Sequence, residues 1–133
     1  MLFGQEHVER YRETGGEEGH DWNGASVLLL TATGRRSGQK LSTPLIYGTR
    51  GDDYLVVASK GGAPEHPAWY QNLLADPDAE IQVRSDRFPV RARTATGEER
   101  EELWAVMTER WPAYDEYQAK TEREIPVVVL ERT

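Results

Sequence analysis

Short apolar runs alternate with polar turns along most of the chain. Continuous apolar runs are typical of strands buried on both faces, and alternating runs of strands with one solvated face. A short turn at 50–53 favours an antiparallel hairpin, and a polar turn at 84–87 separates the next two strands. The last run is wholly apolar, which indicates a central strand. The predicted strands span residues 26–33, 43–49, 54–59, 79–83, 88–95 and 125–130.

Helical spacing predicts a helix between the third and fourth strands. Pro67 suits its first turn, and Asp76 ends it because a residue before proline disfavours the helical region. One face of this helix is expected to be apolar and consists of Trp69, Tyr70, Leu73 and Leu74.

A second helix is predicted before the last strand. Thr96 to Glu99 form a capping-box pattern, in which Thr96 caps the helix and Glu99 reaches back to it. Pro112 ends this helix, and Tyr114 and Tyr117 share one side of a short helix that follows. The apolar residues of the longer helix are Leu103, Val106, Met107 and Trp111.

The N-terminal segment is polar. Glu6–Glu13 predict a short charged helix that ends at Gly15-Gly16, and residues 15–24 predict a linker that either moves or folds over a ligand. We therefore divide the chain into an N-terminal helix with its linker, residues 1–25, and a main domain, residues 26–133.

About six mainly antiparallel strands with inserted helices indicate an α+β fold. Short turns and a late strand that returns to the centre favour a small barrel. The alternating pattern of a doubly wound sheet is missing, as is a dinucleotide-binding fingerprint.

The composition restricts the chemistry. The chain has 133 residues, no cysteine and a net charge of −7, so thiol chemistry is excluded and broad nucleic-acid binding is disfavoured. His7, His20 and His66 lack metal-ligand spacing and are expected to be structural or exposed. The start of the chain shows no signal-peptide pattern, and no apolar run is long enough to span a membrane. A cytoplasmic protein is therefore expected.

The stretch Gly34–Lys40 joins the first two strands. It contains two glycines, two arginines, a serine and a lysine, which fits either a charged hairpin loop or a cradle for an anion. Five basic and two acidic residues lie between Gly34 and Lys60. This local excess of positive charge favours a small anionic ligand.

Several loops could form one binding site. If the first and third strands end on the same edge, the loop after Thr33 and the loop Ser59–Gly62 converge. Trp69 and Trp111 would then flank a flat ring, unless they are ordinary core residues. The aromatic set that could form such walls is Trp69, Tyr70, Trp111, Tyr114 and Tyr117.

Five ordered motifs resemble a known family. The chain is similar to the deazaflavin-dependent nitroreductases of actinobacteria, which use coenzyme F420, and the similarity extends from Val27 to Glu131. The motifs are Thr33-Gly34-Arg35-Arg36-Ser37-Gly38, Thr43-Pro44-Leu45-Ile46-Tyr47, Ala58-Ser59-Lys60-Gly61-Gly62-Ala63, His66-Pro67-Ala68-Trp69-Tyr70-Gln71-Asn72-Leu73, and Trp111-Pro112-Ala113-Tyr114-Asp115-Glu116-Tyr117-Gln118 followed by Ile125-Pro126-Val127-Val128-Val129.

The resemblance implies a split β-barrel like that of FMN-binding oxidases. It also implies an oxidoreductase that transfers a hydride from reduced F420 to a quinone or nitro compound. F420 has a planar deazaflavin ring and a tail of phosphate and oligoglutamate, so it would supply the anion that the charge distribution favours. A homodimer and a peripheral membrane contact are both compatible with the resemblance.

The resemblance also assigns residues to roles. Ser59, Tyr114 and Tyr117 would face the electron acceptor and serve catalysis, and no metal is implied. The phosphate and tail would lie on Arg35, Arg36 and Ser37. The full set implied to bind the cofactor is Arg35, Arg36, Ser37, Lys40, Leu41, Ser42, Thr43, Pro44, Leu45, Ile46, Val57, Ala58, Ser59, Lys60, Ala68, Trp69, Tyr70, Gln71, Asn72 and Trp111.

The chain departs from the family pattern at two positions. Leu41 stands where the family usually has a basic residue, and Trp111 where it often has tyrosine. Three other functions compete with the reductase: an FMN-dependent barrel enzyme, a deazaflavin storage protein without turnover, and an oligonucleotide-binding barrel that the negative charge disfavours.

Overall fold

The computed structural model describes residues 4–133, and within them it contains eight strands and four α-helices. The first three residues, part of the start that shows no signal-peptide pattern, lie outside the described residues. The strands are β1 Asp21–Trp22, β2 Ala25–Thr33, β3 Lys40–Ile46, β4 Gly48–Arg50, β5 Asp53–Val57, β6 Asp78–Val83, β7 Asp86–Thr94 and β8 Val127–Arg132. The helices are α1 Gly4–Thr14, α2 Ala68–Ala75, α3 Gly97–Arg110 and α4 Ala113–Ala119, and Lys60–Gly62 form one turn of 3-10 helix.

The strands form a curled antiparallel sheet. Its order is β1-β2-β6-β7-β8-β5-β4, and β3 pairs with the other edge of β2. β8 lies between β7 and β5, which confirms the prediction of a central last strand. Four antiparallel pairings separate β2 from β5. These two strands therefore run in the same direction, and the loops that follow them leave from the same edge of the sheet.

The second predicted strand is divided in the structure. Residues up to Ile46 pair with β2, the Tyr47 N–H donates to the Ser26 carbonyl at 3.0 Å, and Gly48–Arg50 pair with β5. One continuous strand was therefore the wrong prediction, because this segment changes partner midway and bridges two parts of the sheet. This division and the two-residue β1 raise the strand count above the six predicted.

The apolar runs are buried on both faces, as the sequence indicates. Leu28 and Leu30 face the interior of the curled sheet, whereas Val27 and Leu29 face α1. On β5, Val56 faces the same interior and its neighbours face α3 and α4. Each fully buried aliphatic side chain contributes about 2 kcal/mol to folding.

Helix α1 packs on the outside of the sheet. Val8 and Tyr11 are buried against β2, and the Tyr11 hydroxyl accepts a hydrogen bond from the Arg84 N–H at 2.8 Å. These contacts seat the N-terminal helix beside the strands that carry the predicted site.

Two details of the helices differ from prediction. Helix α3 follows Thr96, but the Thr96 side chain makes no capping bond. Glu99 instead accepts hydrogen bonds from Arg93, at 2.6 and 2.8 Å, and from Arg50 at 2.8 Å. A carboxylate bonded to two guanidinium groups is held more strongly than one bonded to a backbone N–H. On α2, Leu74 is 62% exposed and does not belong to the apolar face.

Candidate functional site

A cavity of about 510 Å³ opens between the sheet, α1, α2 and α4. We call it the aromatic cavity. Its walls come from six separate segments of the chain, so only the folded protein forms it. The lining residues are Gly4, His7, Trp22, Val27, Pro44, Leu45, Ile46, Val57, Ser59, Lys60, Gly61, Pro67, Trp69, Trp111, Tyr114 and Tyr117.

Indole rings form much of the cavity wall. Trp111 lies with its ring centroid 6.0 Å from that of Trp22, and its Nε1–H donates a long hydrogen bond of 3.4 Å to the Tyr117 hydroxyl. Trp69, from the first turn of α2, lines the same cavity. Aromatic walls of this kind suit a planar ligand, which gains both apolar contact and ring stacking.

Two hydroxyl groups in the cavity have no hydrogen-bond partner within the described residues. They belong to Ser59, after β5, and Tyr114, on α4. Burial raises the pKa of Tyr114 well above its ordinary value. Tyr114 therefore keeps its proton at neutral pH and can donate a hydrogen bond to a ligand oxygen.

Arg123 holds the loop that carries Ser59 and Lys60. Its guanidinium donates to the carbonyls of Ala58 at 3.2 Å, Ser59 at 2.8 Å and Ala63 at 2.9 Å. It also lies 3.0 Å from Nδ1 of His66. Burial, followed by the Arg123 charge, lowers the pKa of His66, so the neutral imidazole accepts this bond. Arg123 thus positions one side of the cavity.

The same loop passes very close to α4. A Cβ at Gly62 would lie 2.6 Å from the Tyr117 carbonyl oxygen, and its φ is +87°. Both facts require glycine at this position. The close approach places Lys60 and Gly61 beside Tyr117 at the cavity mouth.

The stretch after β2 is a hairpin loop, since β2 and β3 pair as far as Thr33 and Lys40. The Arg35 guanidinium and N–H both donate to Oδ1 of buried Asn72, at 2.8 and 3.1 Å. Ser37 Oγ accepts a bond from the Gln39 N–H at 3.1 Å. The two predicted interpretations of this stretch, a charged hairpin loop and a cradle for an anion, are therefore compatible.

Arg36 is the exposed cation of this loop that makes no hydrogen bond or ion pair within residues 4–133. Helix α2 lies beside the loop and begins after Pro67, and its first backbone bonds run from the Tyr70 and Gln71 N–H groups to the Pro67 carbonyl. The N–H groups of Ala68 and Trp69 precede those bonds and lack a helical acceptor. Positive charge and free donors therefore lie close together at this edge of the sheet.

Three predicted cofactor residues line a different cleft. Lys40, Leu41 and Ser42 border a cleft of about 740 Å³ between β3, α1 and β6. There the Arg12 guanidinium donates to the hydroxyls of Ser42, at 2.7 Å, and Thr31, at 3.0 Å. The first half of β3 thus faces α1, and the second half faces the aromatic cavity.

The remaining predicted residues lie outside both cavities. Tyr70 is buried in the core with its hydroxyl 2.7 Å from Thr94 Oγ1, and Gln71 donates to the His66 carbonyl at 3.0 Å. Thr43 pairs with Leu30 in the sheet. Ala58 is fully buried and Ala68 is exposed.

Sequence reasoning allowed the N-terminal linker to fold over a ligand but named no residue of this segment as part of a site. His7, Trp22 and Val27 line it, although the first two lie in a segment that reads as charged helix and polar linker. An isolated tryptophan within a polar linker is a usable signal, because so large an apolar ring is rarely left in solvent. The fixing role of Arg123 has no such signal, since its partners are backbone carbonyls.

The described residues contain no cluster of histidine and carboxylate side chains that could hold a metal ion. Among them, no helix is both long and apolar enough to cross a bilayer.

The fold defines a class of proteins. The structure matches, with a TM-score of 0.57 and 11% identity, a Listeria innocua protein that bears the name pyridoxamine 5'-phosphate oxidase; the match covers 80% of this chain and 82% of that one. At this identity the likeness concerns the fold alone. The split β-barrel expected from the resemblance is thereby confirmed.

The family is more specific. Residues 3–132 match the model of the F420H(2)-dependent quinone reductase family, and the chain belongs to that family. It is 45% identical over 130 residues to an F420H(2)-dependent quinone reductase of Mycobacterium tuberculosis, covering 95% of this chain and 87% of that protein.

Two solved structures are also similar. One is an F420-H2 dependent reductase with a TM-score of 0.74 and 44% identity, covering 79% of this chain and 93% of that chain. The other is a domain-swapped dimer with a TM-score of 0.77 and 40% identity, covering 96% of both chains.

The residues present fit coenzyme F420. A planar deazaflavin suits an apolar cavity bordered by Trp22, Trp69 and Trp111. An anionic tail suits the adjacent loop, where the Arg36 charge and the N–H groups that begin α2 have no internal partners among the described residues. The donor set therefore matches both ends of such a molecule.

Proposed function

We propose that this chain reduces quinones with F420H2 in the aromatic cavity, with Arg35, Arg36 and Ser37 on the anionic tail. When bound, F420H2 supplies the hydride. The protein supplies position, exclusion of water and hydrogen bonds. The proposal depends on one observation: ten of the residues that the resemblance implies line a single cavity. This cavity lies beside the loop Gly34–Lys40, which we call the basic loop. Those ten are Pro44, Leu45, Ile46, Val57, Ser59, Lys60, Trp69, Trp111, Tyr114 and Tyr117.

The hydroxyl groups of Ser59 and Tyr114 would hold the acceptor. A quinone carbonyl gains negative charge as it is reduced, and a fixed O–H donor stabilises that charge more than it stabilises the starting carbonyl. Tyr114 suits this role because burial keeps it protonated. Tyr117 already accepts a bond from Trp111 and keeps its own proton available to a ligand.

The side chains predicted elsewhere have supporting roles in this proposal. Asn72 holds the backbone and guanidinium of Arg35, so it would shape the loop from below. Lys40, Leu41 and Ser42 border the second cleft and would meet only a part of the cofactor that leaves the aromatic cavity. Thr43, Ala58, Ala68, Tyr70 and Gln71 would contribute through the backbone or through packing.

The test is turnover. With F420H2 and menadione, the purified protein is expected to oxidise F420H2 catalytically, followed by recovery of the absorbance of oxidised F420. Menadione without protein is the control for direct reaction. Tight F420 binding with no acceptor-dependent turnover would overturn the proposal in favour of a storage protein.

Three finer features complete the proposal. A nitro compound would share the quinone subsite, because both acceptors are planar and present oxygens to the same hydroxyl groups. This would be tested by replacing menadione with a nitroimidazole.

A homodimer is supported by the 40% identical relative that forms a domain-swapped dimer, and the oligomeric state would be measured by light scattering. A cytoplasmic location and a peripheral membrane contact stay predictions, to be checked by fractionation and by vesicle sedimentation.

A further inference from the structure

His7 occupies an unusual position for a histidine without a metal. It lies on α1, only 3% of its surface is exposed, and it is one of the residues that line the aromatic cavity. Val8 and Tyr11 pack on β2 and fix the orientation of the helix. The Trp22 ring stacks beside His7 at a centroid distance of 6.5 Å. The N-terminal helix therefore places an imidazole at the aromatic cavity.

The two nitrogens of this ring have different surroundings. Nε2 lies 2.8 Å from the Gly19 carbonyl oxygen, which can only accept, so Nε2 carries a hydrogen. Nδ1 has no hydrogen-bond partner within residues 4–133. At Gly19, with φ of +111°, a Cβ would lie 2.9 Å from His7 Cδ2. Only glycine therefore permits this contact, which fixes one nitrogen and leaves the other for a ligand.

Quinone reduction requires a proton as well as a hydride. The family activity adds a hydride to the quinone and leaves an oxyanion, and a proton must then reach that oxygen to give the hydroquinone. Imidazole is the side chain that releases a proton most readily near neutral pH. Tyr114 is a poorer acid because burial raises its pKa. It can donate a hydrogen bond but holds its proton too strongly to transfer it.

We propose that His7 is the proton donor of the reaction, an inference that rests on the function proposed above. The imidazolium keeps its Nε2–H on the Gly19 carbonyl and transfers the Nδ1 proton to the oxygen of the reduced quinone. The N–H bond breaks, the O–H bond forms, and His7 becomes neutral. Solvent then returns a proton to Nδ1, so no further oxidant or reductant is needed.

The other titratable groups around the cavity are few. Tyr11 lies on the same helix with its ring 6.5 Å from that of His7. Lys60, Tyr114 and Tyr117 also line the cavity, and Lys60 forms a 2.8 Å ion pair with Glu65. Burial raises the pKa of Tyr11 to about 12 and also raises that of Tyr114, so neither loses its proton near neutral pH. A decline of kcat with rising pH that disappears in His7→Gln would therefore report this imidazole.

The test measures kcat for menadione reduction from about pH 5.5 to 8.5 in wild type, His7→Gln and His20→Gln. Glutamine keeps an N–H for Gly19 but cannot carry a transferable proton. His20 is the control because it is equally buried, is bonded to Asp21 and Tyr47, and does not line the cavity. We expect kcat of His7→Gln to fall about 100-fold at the acidic end and its decline with rising pH to disappear. His20→Gln should keep both the wild-type kcat at acidic pH and its decline with rising pH.

A His7→Gln enzyme with the wild-type pH profile would overturn the proposal, even if its kcat were lower. A second measurement uses the unmodified protein, so that a poorly folded variant does not decide the outcome. In ¹⁵N-histidine NMR at the acidic end of this pH range, Nε2 of His7 should carry a hydrogen, and menadione should shift the resonance of Nδ1, the proposed donor, but not the resonances of His20. An unshifted Nδ1 resonance would contradict the proposal.

These outcomes separate the two proposals. If the wild-type protein fails to reduce menadione, the proposed function is wrong, and the NMR titration still decides whether His7 contacts a quinone. If the wild type reduces menadione and His7→Gln keeps the pH profile, the function stands and only the proton donor is wrong.

Discussion

Arg36 is the residue whose charge most directly tests the basic loop. Arg35 is bonded to Asn72, whereas Arg36 is exposed without a partner among the described residues. We expect Arg36→Ala to weaken F420 binding about fivefold at low ionic strength, which corresponds to about 1 kcal/mol. The difference should shrink at 1 M salt, where the screening length is about 3 Å.

The control for Arg36 is Arg91→Ala. Arg91 is also exposed and forms only a 3.4 Å ion pair with Asp78 on the neighbouring strand. Arg91→Ala removes the same net charge as Arg36→Ala, so it measures the nonspecific effect of protein charge on the binding of an anionic ligand. Equal losses of F420 affinity in the two variants, measured by fluorescence titration, would contradict a role for the loop.

At Leu41, a substitution can add a positive charge beside the basic loop instead of removing one. Leu41 is 48% exposed, and a Cβ at Gly34 would lie 3.2 Å from its Cδ1, so the side chain lies against the basic loop. We expect Leu41→Arg to raise F420 affinity about threefold at low salt, because it adds a cation near the tail. Leu74→Arg, at another exposed leucine, should have no such effect. A gain that is the same for both variants would count against this interpretation.

At the scale of elements, Arg123 joins the segment before β8 to the loop after β5. Its guanidinium makes four polar contacts, three of them with carbonyls. We expect Arg123→Ala to lower the free energy of unfolding by about 2 kcal/mol, measured by urea denaturation. Arg87→Ala, which removes an exposed 2.8 Å pair with Glu80, should cost under about 1 kcal/mol. Similar losses would mean that Arg123 is an ordinary surface residue.

Glu99 connects α3 to β7 and β4. Its bonds to Arg93 and then Arg50 lower the pKa of Glu99 to about 2. Because the unfolded chain binds this proton more tightly, the stabilisation is present above about pH 4.5 and is lost as the pH falls toward 2. We expect the difference in Tm between wild type and Glu99→Gln to shrink over this range.

The control on the same helix is Glu101→Gln. Glu101 is exposed and makes no ion pair or hydrogen bond within the described residues. Its Tm difference from wild type should be small and nearly constant with pH. If Glu99→Gln shows the same flat profile in calorimetry, the three-way contact does not stabilise the helix on the sheet.

The elements show what a sequence can predict. Residues 27–30 and 55–58 are continuously apolar, so their burial on both faces follows from pattern alone. The capping box at Thr96 failed because Glu99 has guanidinium partners from two other strands. The prediction of one continuous strand over residues 43–49 failed for a similar reason. Both depend on neighbours that are distant in the chain.

At the scale of the whole molecule, the site depends on where segments meet. Both basic loops could be expected to converge once β2 and β5 ran in the same direction, and the five motifs indicated the family. The placement of α1 could not be predicted, because its few apolar residues do not indicate which surface they cover. Its packing brings His7 and Trp22 to the wall of the aromatic cavity, where the acceptor is proposed to bind.

The central claim is that this cavity and its basic loop bind F420 specifically. The most direct measurement is a paired fluorescence titration of the protein with F420 and with FMN under the same conditions. We expect saturable binding of F420 that is at least about tenfold tighter than that of FMN. Binding of FMN as tight as that of F420, or no saturable binding of F420, would contradict it.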